Sequence, residues 1–186
     1  MTTSKDIIQL LRKRHDTANY TADHWVFFEE LRVGTGFRDW RTKYEIKQGE
    51  DGRWQKDLAQ GYHPEQRIDA WAMSMWKSEG FRSVAYEIKV SRADFLREIS
   101  RPAKRVTAME FSNQFFFVAP LGLIQPSEVP EGCGLLQVKE ERLSMTVKAP
   151  HREIAQPTWE FYAALVRTIS RKKDEALFDE LAAIES

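Results

Sequence analysis

Three residues of this chain have the types and spacing for metal-assisted phosphodiester chemistry: Asp69, Glu87 and Lys89. Glu87 and Lys89 are two apart in Ser83 to Val90, where Val84, Tyr86, Ile88 and Val90 alternate with Ala85, Glu87 and Lys89. In a strand, that spacing puts the acid and the base on one face. Asp69 lies in the alternating run Gln66 to Trp76, with Ile68, Ala70, Ala72 and Ser74 on one side and Asp69, Trp71, Met73 and Met75 on the other. The intervening turn Lys77-Ser78-Glu79-Gly80 makes the two strands neighbours, so the three ionisable groups can converge. Two carboxylates plus a main-chain carbonyl, here that of Ile88, form the hard-oxygen half-shell that Mg²⁺ or Mn²⁺ accepts. Such an ion lowers the pKa of bound water and polarises a phosphodiester, while a nearby lysine holds the attacking water or stabilises developing charge.

Ordinary structural roles compete with that chemistry. Glu87 and Lys89 alone would equally make a solvated strand face or a cross-strand ion pair. Asp69 is harder to place that way, because Asp is disfavoured in strands and would need a partner such as Arg67 or Lys89. The tetrapeptide Tyr44-Glu45-Ile46-Lys47 repeats Tyr86-Glu87-Ile88-Lys89 letter for letter, so the motif carries little by itself. Context separates the copies: the second follows Asp69 and runs straight into a helix start at Ser91-Arg92-Ala93-Asp94, which has the spacing of a capping box.

The elements around these residues follow from periodicity. Met1 to His15 reads as a short amphipathic helix, without the continuous apolar run of a secretory signal. Asp23 to Arg32 places Trp25, Phe28 and Leu31 at near-helical spacing, which predicts a helix stopped by Gly34-Thr35-Gly36. Asp39 to Ala59 is charged and predicts an exposed two-stranded excursion turning at Asp51-Gly52. After the helix begun at Ser91, Pro102 starts a second helical stretch to about Ser112. Gln114 to Ala119 is a strand buried on both faces, Leu135 to Val138 and Leu143 to Val147 form a closing hairpin, and Trp159 to Ile184 is a helical tail with a break foreseen at Arg171-Lys172-Lys173-Asp174. The result is an α/β chain of one domain: a core over about 21–148, an insertion over about 38–60 and a tail over about 157–186.

Composition narrows the classes. Lys+Arg and Asp+Glu both number 28, so any affinity for nucleic acid comes from local patches and not from bulk charge. The single cysteine, Cys133, excludes an internal disulfide framework and a cysteine zinc site, as expected in a cytoplasmic setting. No apolar stretch approaches the roughly 20 residues that span a bilayer, so no membrane partner is expected.

The stretch Arg67 to Val138 resembles the PD-(D/E)xK nuclease superfamily and, within it, the MmcB-like group ascribed to DNA repair. The resemblance is carried by Arg67-Ile68-Asp69-Ala70-Trp71-Ala72-Met73, by Ala85 to Leu96 (which includes Glu87-Ile88-Lys89), by Phe116-Phe117-Val118-Ala119-Pro120 and by Gly132-Cys133-Gly134-Leu135-Leu136. It implies a restriction-endonuclease-like core in the order αβββαβ, a central mixed sheet flanked by helices, interrupted by the hairpin-like excursion and followed by the C-terminal helix. It further implies a Mg²⁺ or Mn²⁺ nuclease acting on DNA in repair, restriction or phage DNA processing, with Asp69, Glu87 and Lys89 catalytic, Asp69, Glu87 and Ile88 on the metal, and Glu30 as a helical acid completing the site, where Glu29 is an adjacent competitor and an exposed helix acid the ordinary alternative. Many such nucleases form homodimers. The superfamily's proline is absent, since Ile68 precedes Asp69, and the excursion is longer than the family pattern leads one to expect. Related groups include members that bind DNA without cutting it, so an inactive DNA-binding module stands as the alternative, and a small-molecule or protein interaction domain as a further one.

Other residues fit nucleic-acid contact. Arg92, Arg97, Arg101, Lys104 and Arg105 follow the site on two helices and suit phosphates, although a solvated helix face has the same make-up. Trp40 and Trp54 of the excursion could stack bases, and His63 precedes Asp69 closely enough to be considered as a base.

Overall fold

The computed structural model describes residues 2–16, 24–33, 44–48, 54–58, 66–100 and 103–184, with side chains placed except at 16, 44–48, 54–58, 66, 103, 104, 160 and 174–184. The chain divides into two units, Met1–Leu31 with Arg67–Pro157, and Arg32–Gln66 with Thr158–Ser186.

The first unit is built on helix α1 (Ser4–Asp16), strand β1 (Trp25–Val33), strands β4 (Gln66–Ser74) and β5 (Ser83–Ile88), helices α2 (Arg92–Ile99) and α3 (Ala103–Glu110), and strands β6 (Gln114–Pro120), β7 (Gly134–Lys139) and β8 (Arg142–Val147). The second contains β2 (Tyr44–Gln48) paired antiparallel with β3 (Trp54–Leu58), and helix α4 (Trp159–Ile184), which runs unbroken through Arg171-Lys172-Lys173-Asp174 where a break was expected. The turn at Asp51-Gly52 and His63 lie outside the described residues, as do the side chains of both excursion tryptophans. No helix among the described residues is long and apolar enough to cross a membrane.

Among the described residues the main sheet has six strands in the order β1-β4-β5-β6-β7-β8. The β4–β5 and β7–β8 pairs are antiparallel, while β5–β6 and β6–β7 are parallel. The α2–α3 stretch supplies the long connection that parallel β5 and β6 require. The chain therefore has the expected mixed α/β sheet with flanking helices and a C-terminal helix, while the αβββαβ order holds only with β2–β3 set aside and α1 in the place expected for a helix at Asp23 to Arg32.

Strand parity decides the core. Ala70, Ala72, Val84, Tyr86, Ile88, Phe116, Val118, Leu136 and Val138 form one buried face, onto which α1 lays Ile7 and Leu11. The opposite face carries Phe115 and Phe117 in edge contact at 5.4 Å, and Phe95 of α2 stands against Phe117 at 5.5 Å. Burial on both faces matches the nearly unbroken apolar run of β6. Gly134 of β7 is required by close approach, since a Cβ there would strike the ring of Phe116 and lie 2.7 Å from the Ala149 amide nitrogen.

One element departs from its sequence pattern. Trp25–Val33 is a strand and not the predicted helix, and the reason lies at Glu30, whose φ of 52° is left-handed. That residue breaks the period of two, so Phe28 and Leu31 are both buried although three positions apart, which imitates helical spacing.

Candidate active site

The β4–β5 ladder sets the geometry. Its register runs from Met73↔Ser83 to Ala70↔Tyr86, which makes Asp69 and Glu87 the next opposed pair, with side chains on one face. The ladder does not continue there. By the alternation that joins the Ser74 amide to the Arg82 carbonyl, the Ile88 amide would donate to the Ile68 carbonyl. It donates instead to Asp69 Oδ2 at 2.9 Å. Meanwhile β5 stays tied to β6, because the Lys89 amide donates to the Val118 carbonyl at 2.9 Å. The β4–β5 ladder thus forks at Asp69, in the first half of β4, and the Asp69 carboxylate takes the place of a ladder acceptor.

Glu87 and Lys89 project on the face toward α2, Glu87 standing in register with Phe117. Lys89 Nζ donates to Glu87 Oε1 at 2.6 Å and to Glu98 Oε2 at 3.3 Å. None of the three is a solvated surface charge: Glu87 is 6% exposed, Lys89 7% and Glu98 4%. Burial pushes the Glu87 carboxyl up, repulsion from Asp69 acts in the same direction, and the Lys89 ammonium opposes both. The sequence reading did not include Glu98. Its signal was position, since Glu98 lies three residues after buried Phe95 and so falls on the apolar stripe of α2. The helix itself begins as expected, with the Ser91 side chain accepting from the Asp94 amide.

These residues open onto a cleft of about 830 Å³, lined also by Lys5 and Arg12 of α1, Glu29 and Glu30 of β1, Arg67 of β4 and Arg97 of α2. Most of its cations are paired: Arg12 with Glu29, Arg67 with Glu30 and Arg97 with Asp94. Glu30, expected as a helical acid, is an exposed strand residue at the cleft, 3.3 Å from Arg67.

The other expected cationic residues are distributed differently. Arg92 makes two bonds to the Glu128 carboxylate and one to the Leu123 carbonyl at 3.2 Å, which ties α2 to the loop after β6. Arg105 donates to the Glu98 carbonyl at 3.2 Å and joins α3 to α2. Only Arg97 of these three lines the cleft. Lys104 is on α3 with its side chain outside the described residues, and Arg101 lies outside them altogether. Cys133 is buried, and burial pushes its thiol up.

A divalent cation fits the kind of donors at the fork. Asp69, Glu87 and Glu98 against Lys89 leave two net negative charges, and all side-chain donors are hard oxygens. Among the described residues, no three His, Cys, Asp or Glu side chains gather about one point. A cation here would therefore draw on Asp69, Glu87 and the Ile88 carbonyl, with water supplying the rest.

No family model matches the chain, and no curated protein matches it. A solved structure does: a protein of unknown function from Silicibacter pomeroyi, 18% identical, with a TM-score of 0.53 over 95% of this chain and 89% of that one. The likeness shows the fold.

Proposed function

We propose that this chain is a Mg²⁺- or Mn²⁺-dependent nuclease of the PD-(D/E)xK kind that hydrolyses DNA, in a cytoplasmic setting and in repair, restriction or phage DNA processing. The observation that supports this reading is the placement of Asp69, Glu87 and Lys89 at the fork between β4 and β5, open to a cleft. A bound cation supplies a water of lowered pKa and a Lewis acid at the phosphoryl oxygen. Asp69 and Glu87 would hold it, the hydrogen bond donated by the Ile88 amide keeps Asp69 turned into the fork, and Lys89 would orient water or meet developing negative charge. Arg97, Arg67 and Arg12 can exchange their carboxylate partners for backbone phosphates.

Cleavage of single-stranded, duplex and branched DNA with Mn²⁺ tests the proposal. Asp69→Asn and Lys89→Met are expected to abolish cutting while circular dichroism stays native, and metal-dependent cutting retained in both would overturn it. DNA binding without cutting across metals and substrates would instead favour an inactive module. A second reading, in which the cluster only clamps α2 to β5, is favoured by the fact that Lys89 joins both elements. It predicts that the wild type binds neither metal nor DNA.

A further inference from the structure

Two buried carboxylates reach Lys89 from different elements, Glu87 from β5 and Glu98 from α2. The closer, at 2.6 Å, is Glu87, the residue a cation would also claim. The two roles conflict. If Glu87 turned to a cation with no other anion nearby, Lys89 would remain as a buried ammonium beside a divalent charge, a costly arrangement. Glu98 removes the conflict, because its Oε2 is already 3.3 Å from Nζ and the helix that carries it is anchored by Phe95 on Phe117.

We infer that Glu98 is a positioning residue that takes over Lys89 when Glu87 engages a divalent cation. This rests on the metal-dependent reading of the site. The ammonium then stays at the reaction centre without competing for the ligand. Glu98 itself touches neither cation nor substrate and acts through Lys89, as outer-shell partners of metal sites do.

Mn²⁺ binding followed by calorimetry on the whole chain tests this without reference to cleavage. Glu98→Gln keeps size and a hydrogen-bond acceptor but loses the charge, and it is expected to weaken Mn²⁺ roughly tenfold. Glu98→Asp should recover most of that loss. In Lys89→Gln, where no ammonium competes for Glu87, adding Glu98→Gln should leave Mn²⁺ affinity unchanged. Wild-type affinity in Glu98→Gln would overturn the inference while leaving the metal site standing. A loss that persisted in the Lys89→Gln background would also overturn it, by making Glu98 act on the metal directly. Failure of the wild type to bind Mn²⁺ would remove the metal-dependent reading and this inference with it.

Discussion

Asp69 Oδ2 accepts the Ile88 amide proton at 2.9 Å, one step past the last ladder pair of β4 and β5. The bond links two residues of the proposed metal half-shell before any cation arrives. It also gives Asp69, an acid in a strand, the specific partner that such a residue needs. The sequence had offered Arg67 or Lys89 for that role, but a backbone amide fills it.

The Asp69 bond separates a structural from a chemical contribution. Asp69→Asn can still accept from Ile88 and is expected to hold stability within about 0.5 kcal/mol of wild type, whereas Asp69→Ala leaves a partly buried amide unpaired and should lose about 1–2 kcal/mol. Urea unfolding measures both. Equal stability of the two variants would show that the bond does not contribute.

Removal of Lys89 leaves Glu87 and Glu98 facing each other without a cation. Lys89→Met is expected to cost about 3–5 kcal/mol at neutral pH. The loss should shrink as the pH is lowered, since protonation removes the repulsion and a carboxyl raised by burial gains stability below its folded pKa. Chemical unfolding of the variant between pH 7.5 and 5 reads the effect, and a deficit that does not change with pH would contradict it.

His15 and Tyr86 predict a second pH dependence of the opposite sign. His15 Nε2 lies 2.8 Å from the Tyr86 hydroxyl, and the imidazole ring packs 4.6 Å from Trp25. Burial, with help from Arg14 and Arg82, lowers the His15 pKa from 6.5 to about 4, and burial pushes Tyr86 up to about 12. The folded state therefore keeps the imidazole neutral while the unfolded chain takes up a proton below pH 6.5. The stabilisation is complete above that pH and is lost as pH falls toward 4, by roughly 2 kcal/mol at pH 5. His15→Leu should flatten this part of the stability profile. A variant whose profile matches the wild type's would refute the assignment.

The left-handed Glu30 predicts a gain. An L-residue in that region costs about 1–2 kcal/mol, and glycine avoids most of it, so Glu30→Gly is expected to raise stability by up to about 1 kcal/mol despite losing the exposed pair with Arg67. The thermal midpoint tests this. If cleavage fell while stability rose, Glu30 would be serving the site at a structural cost.

What the sequence alone determined is the orientation of residues within each element. Period-two alternation put Asp69, Glu87 and Lys89 on shared strand faces, the cap at Ser91 placed the start of α2, and the apolar run at Phe115 to Val118 marked a strand buried on both sides. Tertiary structure alone decided which partner each group meets. A single left-handed residue in β1 gave a strand a helix-like spacing of buried residues, because one extra position shifts the alternation. Arg92, legible only as a surface cation, was drawn to Glu128 from a distant loop. Glu98 and His15 were hidden for the same reason. Periodicity records which face of its own element a side chain occupies, whereas Lys89 and Tyr86, the groups they meet, are set by how α2 and α1 pack on the sheet. The acids and the lysine of the fork were therefore readable from the chain, but their burial and the second anion beside the lysine were not.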